Sequence, residues 1–329
     1  MAATLAGRLL KPLNDNFVER PWGGRRMQSF KGCDEAAADK RFGEAFEIAA
    51  DESDPEARQY PSRIRFDDGS ELTLPALLDA HAETLLGARF VRRYGRRFPL
   101  LPKTLDVAEL LSVQAHPAGN TEVYVIIAAD EGATLRLGFN ADVNGADLAE
   151  RCAAGRGTQQ RLLELCGADV PAAALQALLK PWFANRDARL ETLEPELGAK
   201  LGRTRWNVAA ALLRSLHGVY WHVLDLLNTV PASPGAVINN STPPRLLAAS
   251  GRPPSAEVHA LGNTEGREIL ALEIRRPGVT YRAWDNVRFP VRDVDIDTAV
   301  SALNLRRTAP EDFLVEPQPV PGRPGVKRS

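Results

Sequence analysis

The sequence predicts a mainly β chain interrupted by an α-helical block. Two observations carry this. Short apolar runs alternate with Pro, Gly and Asp turn signals in the first part of the chain and again after Asn228. Between them, from Asp147 to Asn228, the composition shifts to Ala, Leu and Arg with helical spacing.

In the first part, Pro21-Trp22-Gly23-Gly24, Asp67-Asp68-Gly69 and Glu131-Gly132 punctuate strands expected at Ser62–Phe66, Ala88–Val91, Leu111–Gln114 and Val123–Ala128. Thr73–Leu86 is the exception: Leu74, Leu77, Leu78 and Leu85 sit near helical spacing, and Pro75 suits a first turn. In the central block the clearest helix is Thr204–Leu227. There Ala209, Leu212, Leu213, Leu216, Tyr220, Val223, Leu224 and Leu227 trace one face, which predicts packing against the β body. Gly218 marks a point for a kink, and His217 and His222 are expected to be structural. Strands resume at Val230–Val237, Glu268–Ile274 and Val279–Trp284. The expected organisation is an N-terminal β portion at 1–145, a helical insertion at 146–228, a C-terminal β portion at 229–315 that completes the site, and a flexible tail at 316–329 carrying Pro317, Pro319, Pro321 and Pro324.

Composition narrows the function classes. With 41 basic and 42 acidic side chains the net charge of −1 argues against an electrostatic grip on nucleic acid or an anionic membrane, so neither is expected as a partner. No apolar run approaches the roughly 20 residues of a bilayer span, and Met1–Gly7 lacks a signal-peptide pattern; a cytoplasmic protein is expected. Cys33, Cys152 and Cys166 form no Cys-x-x-Cys pair, which points any metal site toward other ligands. Three motifs are set aside. Gly198–Thr204 has the wrong glycine spacing and lacks the lysine of a phosphate loop; Asn239–Thr242 holds glycosylation-type sequons; and Arg92-Arg93 with Arg96-Arg97 reads as a solvated surface.

The segment Pro99–Pro117 carries chemistry. Gln114 and His116 are two residues apart on a strand and leave the same face. A hairpin through Pro117–Asn120 is expected to bring Glu122 beside them, and imidazole, carboxylate and amide oxygen on one face suit zinc or another borderline divalent cation.

These residues also carry a resemblance. The run Pro99–Phe139, with Pro-Leu-Leu-x-Lys, Leu-Ser-Val-Gln-x-His-Pro and Thr-Glu-x-x-x-Ile-Ile, resembles the metal-binding core of type I mannose-6-phosphate isomerases, which are cupin (jelly-roll, double-stranded β-helix) enzymes. The resemblance extends to Glu19–Gly24, Gly43–Ile48, Leu227–Gly235, Val258–Gly262, Leu270–Ile274 and Thr280–Asp285. It implies a zinc held by Gln114, His116, Glu122 and His259, with Lys103 and Arg282 lining the substrate pocket and Glu273 as a proton carrier. The implied activity is interconversion of mannose 6-phosphate and fructose 6-phosphate, a small phosphorylated sugar being the partner. Such chemistry removes a proton beside a carbonyl through an enediolate, so one metal, two cations and one carboxylate form a consistent inventory.

Other readings stay open at this point. His259 alone reads as a surface histidine, Arg282 as the ion-pair partner of Asp285, Lys103 as a solvated edge-strand lysine, and Glu273 as a carboxylate paired with Arg275. The loop after His116 is shorter than in the family, Asn239–Ser255 inserts a Pro- and Ser-rich stretch, and the chain after Asp285 is short, so a reduced second β portion is expected. A non-catalytic sugar-phosphate-binding cupin and an isomerase of a different aldose are the alternatives.

Overall fold

The computed structural model describes residues 5, 10–32, 39–251, 253–316, 318–319 and 327–328. Cys33 lies outside them, as does the tail expected at 316–329 apart from Glu316 and two short paired segments.

In chain order the strands are β1 (Phe17–Gly24), β2 (Phe42–Phe46), β3 (Arg63–Arg65), β4 (Glu71–Thr73), β5 (Leu101–Val107), β6 (Val113–Ala115) and β7 (Glu122–Ala129). They continue with β8 (Thr134–Phe139), β9 (Leu227–Pro231), β10 (Val237–Asn240), β11 (His259–Ala260), β12 (Ile269–Arg275) and β13 (Tyr281–Trp284). One sheet runs β1-β2-β5-β12-β7-β10 and a second β13-β6-β11-β8-β9. Leu105, Ile126 and Ala271 of the first sheet share a core with Leu135, Leu137 and Val230 of the second, so the sheets pack face to face. The helices Gly145–Cys166, Ala172–Ala184 and Ala199–Asp225 lie in the chain between the paired strands β8 and β9 and cover the outer face of the second sheet. Val113, Ala115, Ala260 and Ala283 meet that helical layer, which leaves the alternate positions Gln114, His259 and Arg282 facing inward.

The same alternation sorts the inner face of the first sheet. Ile269, Ala271, Glu273 and Arg275 share one face of β12, opposite Val107, Leu105, Lys103 and Leu101 on β5, and opposite Ala129, Ile126, Tyr124 and Glu122 on β7. Toward one end of the sandwich the interior is aliphatic; toward the other it is ionised. That change of character places the site.

Four expectations are corrected. Ala88–Val91 is part of a helix, Ala88–Tyr94, that follows directly on the helix Leu74–Leu86; Phe90 and Tyr94 pack one helical turn apart with tilted rings and centroids at 5.0 Å. Val230–Val237 is two strands, β9 and β10, separated by a turn in which Gly235 takes φ +84°. The expected hairpin through Pro117–Asn120 does not form: β6 and β7 lie in different sheets, and the turn carries the chain from one sheet to the other. The long helix breaks at Gly202, where φ is +71°, and not at Gly218. His217 accepts its expected structural place, its Nε2 3.0 Å from the Asn185 carbonyl and its ring against Trp182. No helix among the described residues is long and apolar enough to cross a membrane.

The turn after β1 is built around two carboxylates. Asp106 accepts from Met27 N at 2.6 Å and Glu268 from Arg25 N and Arg26 N at 2.7 and 2.9 Å, capping the short helix Arg26–Lys31. A Cβ at Gly24 would collide with both carboxylates, so only glycine fits there. Burial, reinforced by the hydrogen bond with Glu268, pushes the Asp106 carboxyl from 3.8 up to about 8, while Glu268 stays low. A carboxyl whose folded pKa is raised contributes its full stability below 3.8 and loses it as pH rises toward 8. Asp106→Asn keeps an acceptor for Met27 N and gains a donor to Glu268. Urea midpoints should therefore match wild type near pH 4 and exceed it near pH 8; equal midpoints at both values would contradict a shared proton.

Candidate metal centre

His116, Glu122 and His259 converge where the two sheets meet at the ionised end. His116 follows β6, His259 opens β11 and Glu122 opens β7. All three are at most 2% exposed. His259 stands directly across from Gln114, and Arg282 flanks Gln114 on the other side. Glu122 Oε1 lies 2.7 Å from His116 Nε2 and Oε2 lies 3.4 Å from His259 Nε2, and the imidazoles stack with centroids at 5.2 Å. Each ring donates Nδ1–H to a backbone carbonyl, His116 to Val279 at 3.2 Å and His259 to Glu257 at 2.9 Å. That fixes the tautomer with the Nε2 lone pair turned inward.

The residues fit a metal ion. Their candidate ligand atoms lie within 4.8 Å of one another, and His116 Nε2 is buried without a hydrogen-bond partner among the described residues because Glu122 approaches it off-axis. Two imidazoles and a carboxylate in a dry site suit zinc among the common divalent ions. Without an ion the pair is electrostatically tight: burial opposes the Glu122 charge, but His116 and His259 hold its carboxyl well below the usual range. Gln114 donates its amide to Ser112 Oγ at 3.0 Å and lines the same cleft, leaving its oxygen as a further donor.

Two buried side chains brace the carboxylate. Tyr124 donates its hydroxyl to Glu122 Oε2. Asn240, fully buried, donates to the same oxygen at 3.3 Å and accepts from Glu257 N at 3.1 Å, so one amide ties Glu122 to Glu257, the residue whose carbonyl orients His259. Sequence reasoning saw Asn240 only as part of a sequon.

The cleft above the cluster has a volume of about 1250 Å³ and is lined by Lys103, Glu273 and Arg282 among others. Lys103 is no solvated edge residue. It is 3% exposed on a central strand, with Nζ 2.8 Å from Glu56 and 3.3 Å from Glu44. Burial works against its charge, but Glu44 and Glu56 more than offset that and raise its pKa. Glu273 does pair with Arg275, at 3.3 Å, and Arg275 also reaches Asp54 at 3.0 Å. Burial nonetheless pushes the Glu273 carboxyl up to about 7, with Lys103 opposing and Glu122 reinforcing the shift. Arg282 does not pair with Asp285, whose carboxylate is taken by Arg292; among the described residues no carboxylate lies within 4 Å of Arg282, and its Nε is buried without a partner. Glu44, Glu56 and Asp54 were missed as members of this network, whereas Arg275 is the partner read for Glu273 in the sequence. Only Glu44, inside the Gly43–Ile48 motif, carried a signal that could have found it.

Comparison with known proteins bears on the first part of the chain and on the fold. Residues 10–133 match the family model described as phosphomannose isomerase type I, catalytic domain. The curated mannose-6-phosphate isomerase ManA of Bacillus subtilis (strain 168) is 31% identical over 137 residues, which are 38% of this chain and 39% of that protein. The chain thus spans 39% of the length of the curated relatives it matches. A crystal structure of the mannose 6-phosphate isomerase from Bacillus subtilis superposes with TM-score 0.56 at 20% identity, covering 97% of this chain and 74% of that one. A zinc-bound mannose 6-phosphate isomerase gives TM-score 0.54 at 16% identity, covering 94% and 78%. These likenesses show the expected cupin fold, and over residues 10–133 the family match agrees with the type I resemblance read in the sequence. The matched segment ends before His259, Glu273 and Arg282, whose positions rest on the geometry above.

Replacing Asn240 by Leu removes the brace without touching a candidate ligand. Affinity for zinc, read by competition with a chromogenic chelator, should fall about 10- to 100-fold while the far-ultraviolet circular dichroism is preserved. Unchanged affinity would show that Tyr124 alone holds Glu122.

Proposed function

Starting from the match of residues 10–133 to the type I phosphomannose isomerase catalytic domain, we propose that this chain is a zinc-dependent aldose–ketose isomerase interconverting mannose 6-phosphate and fructose 6-phosphate. One observation carries the reading: a buried His116–Glu122–His259 cluster opens into a cleft that also holds an unpaired arginine, Arg282, and a carboxyl of raised pKa, Glu273. In this reading residues 1–145 and 229–315 together form the catalytic cupin body and 146–228 is inserted in it.

His116, Glu122 and His259 would hold the zinc, with Gln114 as a fourth donor, and the ion would supply Lewis-acid stabilisation of developing negative charge. Glu273 takes the proton from the carbon beside the substrate carbonyl and returns it to the neighbouring carbon. A carboxyl near 7 is matched to that exchange, since it is neither fully charged nor fully protonated at neutral pH. Arg282, with no carboxylate within 4 Å among the described residues, faces the enediolate charge as it forms. Lys103 and Arg275 act on Glu273 from behind. Their cations balance its anion, and Glu44, Glu56 and Asp54 keep both cations in place.

The test is turnover of mannose 6-phosphate by the purified chain with and without chelator, beside a panel of other phosphorylated and free sugars. Chelator-sensitive conversion to fructose 6-phosphate is expected. Binding without turnover would instead mark a non-catalytic sugar-phosphate-binding cupin. His116→Ala should lose metal and turnover together, and retained metal in that variant would remove His116 from the ligand set. Glu273→Gln should keep its metal and lose about 100-fold or more in kcat; a kcat near wild type would move the proton transfer to another group.

A further inference from the structure

Residues 276–280, which join β12 to β13, carry no candidate ligand, yet they hold the acceptor that orients one: the Val279 carbonyl receives Nδ1–H of His116 at 3.2 Å. The Val279 side chain is 39% exposed and does little to fix this stretch. Its anchors come from other parts of the chain. Asn120 Nδ2 donates to the Arg276 carbonyl at 3.1 Å, and Arg275 Nη1 donates to the carbonyls of Arg276 and Gly278 at 2.9 and 3.2 Å. Gly278 N in turn donates to Asp54 Oδ2 at 2.9 Å, across a separation of 224 residues.

Asp54 is fully buried, and both of its oxygens are engaged twice. Oδ1 accepts from Glu56 N at 2.8 Å and Ala57 N at 3.0 Å, capping the helix Pro55–Gln59. Oδ2 accepts from Gly278 N and pairs with Arg275 Nη2 at 3.0 Å. Capping alone would be served by Asn or Ser, and pairing with Arg275 alone needs no contact with residues 276–280. Only a carboxylate in this place meets the helix, the guanidinium and the Gly278 peptide together. It thereby grips the arginine that pairs with Glu273 at 3.3 Å and, one residue short of Val279, the chain that holds His116.

We propose that Asp54 is a positioning residue that seats His116 through the backbone of Gly278 and Val279 and ties that seat to the Arg275–Glu273 pair. Planar peptides and the fixed φ of Pro277 leave this short stretch few soft torsions, so the position of Gly278 N is passed on to the Val279 carbonyl. Without the Oδ2 contact the carbonyl is free to drift, and the His116 ring, whose tautomer and tilt it sets, drifts with it. The inference deepens the isomerase reading, on which it rests only in taking His116 as a zinc ligand.

Proton exchange at the histidine ring N–H groups, followed by NMR on the metal-free chain, tests it without turnover. Asp54→Asn keeps a cap oxygen for Glu56 N and Ala57 N but offers Gly278 N no second acceptor. Exchange at His116 Nδ1–H should quicken about 10-fold, and zinc affinity, read by chelator competition, should fall about 10-fold. His259 Nδ1–H, bonded to the Glu257 carbonyl and out of reach of Asp54, should keep its wild-type rate. Unchanged exchange at His116, or equal quickening at both rings, overturns the proposal, the second outcome marking a general loosening of the fold. Should Asp54→Asn fail to fold, wild type decides: the Gly278 amide and His116 Nδ1–H should exchange at matching rates, and a freely exchanging Gly278 amide beside a protected His116 ring overturns the seat. If Asp54→Asn frees the His116 ring but His116→Ala retains its zinc, the seat stands and the metal reading fails. If His116→Ala loses its zinc but Asp54→Asn leaves the ring protected, the metal reading stands and the seat fails.

Discussion

Everything at the ionised end of the sandwich depends on opposite charges meeting inside protein. Arg275, 3% exposed, lies within 4 Å of Asp54, Glu56 and Glu273, and Lys103 is held between Glu44 and Glu56. Burying any one of these ions alone would cost several kcal/mol, and deleting one partner of such a pair typically costs about 3–5 kcal/mol because the other charge is stranded. The network therefore adds little net stability. What it supplies is placement: Glu273 is kept near the cleft with its carboxyl pKa raised, and Glu122 is left for the two histidines.

Strand geometry explains why these groups assemble. Inner positions along β5, β7 and β12 repeat every second residue, so Lys103, Glu273 and Tyr124 form one row across the sheet, Leu101, Arg275 and Glu122 the next, and Leu105, Ala271 and Ile126 the row on the aliphatic side. A slip of one residue in any of the three strands would turn the charges outward and drive aliphatic side chains into the cleft. The aliphatic rows fix the register that the ionised rows need. The histidines come from the facing sheet, where Val113, Ala115 and Ala260 are claimed by the helical layer and their neighbours must point the other way.

Much of this was legible in the sequence. Gln114 and His116 are two apart, Glu122 follows closely, and Glu273 sits alone among aliphatic residues of a strand. The two sheets were not legible. A Pro-Ala-Gly-Asn turn between short strands reads as a hairpin, and nothing local says that the chain crosses from one sheet to the other. Ala88–Val91 misread for a related reason: four residues are too few to separate strand from helix periodicity, and the preceding helix Leu74–Leu86 decides the matter. Glu56 and Asp54 were invisible as partners because they reach Lys103 and Arg275 across long sequence separations, through pairings that only the folded sheet defines.

The helical layer has a consequence beyond covering a sheet. Gln159 and Gln176 reach past the second sheet to grip the peptides at Asn286, Val287 and Phe289, so two helices that contribute no candidate ligand set the height of a cleft wall. The architecture divides labour. The β-sandwich, with its register locked by alternating rows, has almost no freedom to vary near the ion, whereas the helices pack through a broad aliphatic interface that tolerates small shifts. Retuning the cleft for a longer, shorter or differently charged ligand is then open to substitutions in the helices, behind the wall, where they disturb neither the histidines nor the carboxylates they enclose.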